Sequence, residues 1–174
     1  GPELHTLVKA PWIKSLGIDY HLAVDGISLT LVVLTGISAV VGVLFSWNIE
    51  RRVKEFFAFY LALIGGVYGV FLSFDLFLLF VFYELAIVPK YFLIAIWGST
   101  GEVPPQGIFA WSFKRVGVGS KEYAAMKLTL YLLLGSAFIL VGMLALYTAA
   151  GSTSFNFQDL EKVKFDPALQ SWVF

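Results

Sequence analysis

The chain has 174 residues, 59% of them hydrophobic and 14% charged, with twelve Lys plus Arg balanced by twelve Asp plus Glu. That composition excludes an ordinary soluble domain, and zero formal net charge leaves no basic surface to steer nucleic acid. Without cysteine there are no disulfides, thiolate metal sites or iron–sulfur clusters, and the two histidines, both before residue 22, leave no pair for a haem held between imidazoles.

In chain order, the first 26 residues are polar and contain Pro2 and Pro11 rather than a basic start and a short apolar core. The first span is therefore expected to insert without cleavage. Asp25, followed by Gly26 and Ser28, is placed to cap the free N–H groups of a first helical turn. Ile27 to Ser46 then runs twenty residues without a charge, enough at about 1.5 Å per residue to cross a hydrocarbon core of roughly 30 Å. Phe56 to Phe74 is a second such run, Leu76 to Trp97 a third broken only by Glu84 and Lys90, and Tyr123 to Ala150 a fourth broken by Lys127. The second and third together are too long for one crossing, and Ser73-Phe74-Asp75 supplies a polar break and an N-cap, so a tight helical hairpin is predicted. The connections are Trp47 to Glu55, the longer Gly98 to Glu122 with Pro104-Pro105, and the tail from Gly151; none reads as a soluble domain. The expected fold is all-α and polytopic: one membrane domain over residues 1–174 with spans at about 27–46, 56–74, 76–97 and 123–150.

Four spans put Arg51, Arg52, Lys54, Lys114, Arg115 and Lys121 on one side and Lys9, Lys14, Lys162 and Lys164 on the other. The first set sits in short loops near helix ends, so that side is expected to be cytoplasmic and both termini outside. Trp12, Trp47, Trp97, Trp111 and Trp172 all fall outside the spans or at their ends, where an indole buries its ring and keeps its N–H wet. Small residues recur inside the spans, at Ser38 and Gly42, Gly65 and Gly69, and Gly135, Ser136 and Gly142. They suit close helix packing, within these four helices or against further neighbours.

The informative residue is Glu84, roughly 12 Å along its span from Leu76 and so near mid-membrane. An acidic side chain there costs about 3 kcal/mol even on the lenient insertion scale, so it is expected to serve a proton or ion path; the bland alternative is a protonated acid making one interhelical hydrogen bond. Pro89 lacks the N–H that would bond the Leu85 carbonyl, leaving an acceptor and a helix kink beside the acid, where water can enter. Tyr91 shares the Glu84 face and could order such a water, or simply pack. Lys90 lies about 120° away around an ideal helix, so it is expected either to snorkel to the interface or to join the path. Lys127 lies nearer the cytoplasmic end than Glu84 by roughly 14 Å, so it is a polar relay through water or an interface anchor.

The run Phe82-Tyr83-Glu84-Leu85-Ala86-Ile87-Val88-Pro89-Lys90-Tyr91-Phe92-Leu93-Ile94-Ala95-Ile96-Trp97-Gly98 resembles the E-x4-P-x-YFLI-x-x-WG signature of the proton-pumping, antiporter-like subunits of respiratory complex I (NADH-quinone oxidoreductase), most closely the branch called subunit 4, or subunit M in bacteria. The stretches Pro11-Trp12-Ile13, Tyr20 to Leu29, and Tyr123 to Leu128 with Tyr131 and Gly135-Ser136 agree with it, so the likeness covers most of the chain. It implies a bundle of about fourteen helices, of which the four spans correspond to helices three to six and the whole chain to a fragment. By the same resemblance Glu84 is the essential carboxylate of helix five, Pro89 its central proline and Lys127 the lysine early on helix six. The lysine that pairs with the glutamate belongs to helix seven, and Ala168 to Phe174 looks like the opening of that helix, ending before its lysine. Lys90 stands where the family pattern has Met, and Gly98 to Glu122 is longer than the usual connection.

The resemblance implies redox-driven proton transfer in a subunit that does no redox chemistry, with Glu84 and Lys127 moving protons, and Lys90 and Pro89 as lesser candidates. It implies no cofactor and no metal in this chain, and no direct contact with NADH or quinone. The implied partners are other membrane-arm subunits, including neighbouring antiporter-like ones, in the lipid bilayer of a bacterial inner membrane or an organelle. A subunit of a multi-subunit cation/proton antiporter, or a related hydrogenase arm, would show the same glutamate. A non-transporting membrane scaffold would use the spans for packing alone.

Overall fold

The structure, a computed structural model, describes residues 4–99, 120–151 and 154–165. Most of the long connection, with Trp111, Lys114 and Arg115, and the expected helix opening from Ala168 to Phe174, with Trp172, lie outside the described residues. The chain opens on two antiparallel strands, β1 (His5–Ile13) and β2 (Ile18–Val24), and continues through helices α1 (Gly26–Phe45), α2 (Val53–Leu72), α3 (Leu76–Trp97), α4 (Lys121–Ala149) and a single turn, α5 (Phe157–Leu160). The four long helices begin and end within three residues of the charge-free runs, and each is long and apolar enough to cross a membrane. The molecule is mostly helical with four candidate spans, as expected, and it adds a β-hairpin ahead of the first span that was not foreseen. Reading for uncharged runs passes over a strand pair in which polar and apolar residues mix. Its tight turn closes at Gly17, whose φ of 65° glycine adopts without steric cost.

Each helix start has a local cause. Asp25 accepts from the Ser28 N–H at 2.7 Å while the Ser28 hydroxyl accepts from the Asp25 N–H at 2.8 Å, a reciprocal cap on α1. The Asp75 carboxylate takes the Phe77 and Leu78 N–H groups, which ends the α2–α3 turn and starts α3, as the polar break predicted. Ser120 caps α4 by accepting from the Tyr123 N–H at 3.1 Å.

α3 is the most enclosed helix. It packs chiefly against α2, then against α4, and α1 lies against α2 by a smaller contact. The outward faces of α1 and α4 carry exposed Ile27, Val40, Phe45, Leu130 and Phe138, an apolar surface suited to lipid or to other helices. At one end of the bundle the β-hairpin, the α2–α3 turn and the segment around α5 interlock. Phe74 N–H donates to the His21 carbonyl, Leu76 N–H to that of Phe155, and Phe157 N–H to that of Phe74. Beneath them Ile18, Met143 and Phe155 form the buried core, with the Tyr147 and Phe155 rings stacked at 4.1 Å. At the opposite end the Trp97 indole donates to the Arg51 carbonyl at 2.7 Å, and the Lys121 ammonium to the Ile96 carbonyl at 2.8 Å. The helices therefore alternate in direction, with Arg51, Arg52 and Lys121 at one end and Lys9, Lys14 and Lys162 at the other.

Candidate functional site

The site is built on α3, where the tightest helix approach flanks the mid-span acid. The Phe82 ring covers Gly69 of α2, so closely that a methyl at 69 would collide with it. One turn on, a Cβ added at Gly66 would lie 2.9 Å from the Ala86 Cβ. Glu84 lies between these two contacts in height along α3, on the far side of the helix from them. Its side chain is half-buried, and its Oε1 is completely buried without a hydrogen-bond partner among the described residues. A native structure seldom leaves a buried polar atom unpaired, because the lost hydration costs about 1–3 kcal/mol.

α3 runs unbroken through Pro89, which is itself buried. The missing N–H at 89 still deprives the Leu85 carbonyl of its helical donor, one residue from the acid. Lys90 is half-buried, and neither it nor Lys127 forms an ion pair with Glu84 among the described residues. The Tyr91 ring meets Phe92 edge-on at 5.4 Å, a packing contact.

Lys127 is exposed on α4, its ammonium between the rings of Tyr123 and Tyr131 at 6.0 and 5.9 Å. Residues four apart on a helix stack along one face, so the sequence spacing already places these three together. They line a groove of about 300 Å³ with Met126, Leu130 and Leu134, all from α4. The groove opens away from the packed interior, and the structure brings no second cation or carboxylate into it among the described residues. Glu84 and Lys127 thus occupy two separate places: an acid enclosed on α3 and a cation presented on the outward side of α4.

A second polar cluster went unread in the sequence. His21, Asp75 and Asn156 are all buried where the hairpin, the α2–α3 turn and the α5 segment meet. Asn156 Nδ2 lies 2.9 Å from His21 Nδ1, and Asp75 also accepts from the Asp19 N–H at 3.2 Å. Burial, and then the Lys9 charge, lower the His21 pKa from its ordinary value. Burial raises that of Asp75 against the N–H groups of Leu78, Asp19 and Phe77, which favour its charged form. Asn156 ahead of a short helix is a readable cap, but its tie to a histidine 135 residues earlier has no local signal.

No family model matches the chain. Over 97% of its length it is 39% identical to NADH-quinone oxidoreductase subunit M of Pseudomonas aeruginosa, of which it spans 32%. Over 91% of its length it is 38% identical to the subunit M of Escherichia coli K12, spanning 30% of it. NAD(P)H-quinone oxidoreductase chain 4 of Gloeobacter violaceus is 32% identical over 99% of the chain, which covers 29% of that protein. The chain thus spans about a third of the length of the relatives it matches. Among solved structures, a chain of respiratory complex I from Thermus thermophilus with bound NADH superposes with a TM-score of 0.75, covering 97% of this chain and 31% of that one. At 22% identity that match shows the fold.

Proposed function

We propose that this chain is a stretch of a proton-translocating membrane-arm subunit of an NADH:quinone oxidoreductase, of the kind called subunit M or chain 4, in which Glu84 takes up and releases the proton. The buried, unpartnered Oε1 of Glu84 carries the reading. A carboxyl held mid-span with no ion-pair partner among the described residues responds strongly to any cation that approaches or withdraws, the approach favouring its ionised form and the withdrawal its protonated one. The Leu85 carbonyl offers a water a first foothold beside it. Lys127, at a different depth and on another helix, serves as a polar relay reached through water, and Lys90 adjusts the charge balance near the cytoplasmic end. The chain itself carries no redox centre and touches neither NADH nor quinone; electron transfer in other subunits drives it. Its partners are neighbouring antiporter-like subunits, and its place is a bacterial inner membrane.

Homology to subunit M and chain 4 supports this reading, as do four helices fit to cross a membrane. The decisive experiment replaces Glu84 by Gln in the assembled complex, which keeps the shape and removes the titration. Proton pumping should be impaired while assembly is retained; undiminished protons per electron pair would refute the role. Transport that depended on sodium rather than on quinone reduction would place the chain among cation/proton antiporters instead.

A further inference from the structure

The buried contact between His21 and Asn156 lies outside the proton-transfer residues, and the roles of its atoms follow from their neighbours. The Asn156 Oδ1 accepts from the Gln158 N–H at 3.1 Å, where it caps α5. Its amide NH₂ is therefore the group that faces the imidazole at 2.9 Å, and His21 Nδ1 must accept. His21 is accordingly neutral with its proton on Nε2, directed toward the Thr6 hydroxyl at 3.5 Å. The same histidine's carbonyl receives the Phe74 N–H, its neighbour Leu22 pairs with Ser73, and Asp75 pairs with Asn156. Three segments distant in sequence meet around this residue, the hairpin and the α2–α3 turn joined through backbone and the hairpin and the α5 segment through the imidazole, beside the first turn of the helix that carries Glu84.

We propose that the His21–Asn156 contact is a pH-sensitive clasp on this face of the molecule, and that protonation of His21 opens it and frees the N-terminal end of α3. A proton on Nδ1 would set an N–H against an amide NH₂ at hydrogen-bond distance. Turning the Asn156 amide to offer its oxygen would abandon the Gln158 cap, and turning the imidazole would abandon Thr6 and the Phe74 ring, 6.1 Å away. The groups facing the imidazole divide by element. Lys9 on β1 opposes its protonation, Asp19 on β2 and Asp75 in the α2–α3 turn favour it, and the α5 segment brings the uncharged Asn156, its Asp159 being paired with Lys162. Burial and Lys9 prevail. A histidine whose folded value is lowered leaves its stabilisation intact above the ordinary value of about 6.5 and loses it as pH falls below that. The clasp is closed at neutral pH and opens on acidification. The clasp does not rest on the proton-transfer reading above.

The test is hydrogen–deuterium exchange on the complete protein in its membrane assembly, from pH 7.5 to 5, with exchange times scaled for intrinsic rates. Protection of peptides spanning 72–78 and 154–160 should fall severalfold as pH drops through the histidine range. His21→Gln keeps Asp75 but cannot take the proton, so its protection, whatever its level, should not vary over this range. Asn156→Asp offers a carboxylate to the imidazolium and should shrink the acid loss or reverse it. Unchanged protection in the natural protein, or the same pH-dependent loss in His21→Gln, would overturn the clasp. Neither outcome depends on whether Glu84 carries protons.

Discussion

Tyr60 of α2 stands in the notch that Gly42 leaves on α1, and its hydroxyl donates to the Ala39 carbonyl at 2.9 Å. Tyr68 repeats the arrangement two turns away, its hydroxyl 3.0 Å from where a Cβ at Gly36 would lie. α1 makes only a modest contact with the rest of the bundle, so these two tyrosines fix its register against α2.

Gly42→Ala should therefore loosen α1. Overpacking of this kind costs about 1–3 kcal/mol. Tyr60→Phe alone should cost about 1 kcal/mol, the net worth of one hydrogen bond, yet in the Gly42→Ala background it should restore part of the loss by removing the clashing oxygen. Denaturant unfolding of the assembled protein in detergent, run as a double-mutant cycle, measures the coupling. Strictly additive effects would show that the two residues do not meet.

Gly66→Ala should separate α2 from α3 beside the acid. The new methyl would meet the Ala86 Cβ and backbone, displacing Glu84 without touching it. If Glu84 carries the proton as proposed, pumping should fall several-fold while quinone reduction and assembly stay normal, and Ala86→Gly in the same chain should recover part of it. A pumping defect that Ala86→Gly fails to relieve would assign the loss to α2 itself.

Asp75→Ala removes the acceptor for three backbone N–H groups at once, those of Asp19, Phe77 and Leu78. Loss of an N-cap costs about 0.5–2 kcal/mol, and the orphaned, enclosed donors place this one at the upper end. Asp75→Asn keeps an oxygen for the cap and sheds the cost of burying a charge, so it should lose less than half as much. Thermal unfolding of the two variants compares them.

Asp25 gives a pH dependence at the start of α1. The Ser28 N–H, and then the Ser28 hydroxyl, hold its carboxyl below the ordinary aspartate value of 3.8. Its contribution is complete above that value and is lost as pH falls through the lowered one. Amide exchange in residues 26–30 should accelerate across that acidic window, beyond the intrinsic trend, and Asp25→Asn should abolish the change. Equal acceleration in Asp25→Asn would place its cause elsewhere.

Lys127→Met keeps the apolar stem between Tyr123 and Tyr131 and removes the charge. As a relay, it should slow proton transfer with the complex intact; as an interface anchor, it should lower assembly and leave the transfer of what assembles unchanged. Pumping normalised to assembled complex separates the two.

The helices were legible because charge is so costly in hydrocarbon that its absence writes their length, and the bounds of α1 to α4 follow the uncharged runs closely. Glu84 stood out for the same reason. Asp25 and Asp75 were legible because capping is local chemistry, settled within three residues. The β-hairpin was not, since β1 is exposed almost throughout and β2, though mostly covered, mixes polar with apolar residues and shows no clean alternation to read. Neither was the meeting of His21 with Asn156, which depends on four helices returning two distant loops to one spot. That Glu84 Oε1 is buried with no hydrogen-bond partner among the described residues is a packing fact that no spacing rule contains.

α3 is a beam fixed at both supports: Asp75 and the interlocked backbone hold one end, and Trp97 with Lys121 holds the other. A beam so mounted cannot slide lengthwise; it can only bow, most at its middle, where the Leu85 carbonyl lacks its rung. Gly66 against Ala86 blocks the sag toward α2, so any bowing at this height would have to lead away from α2.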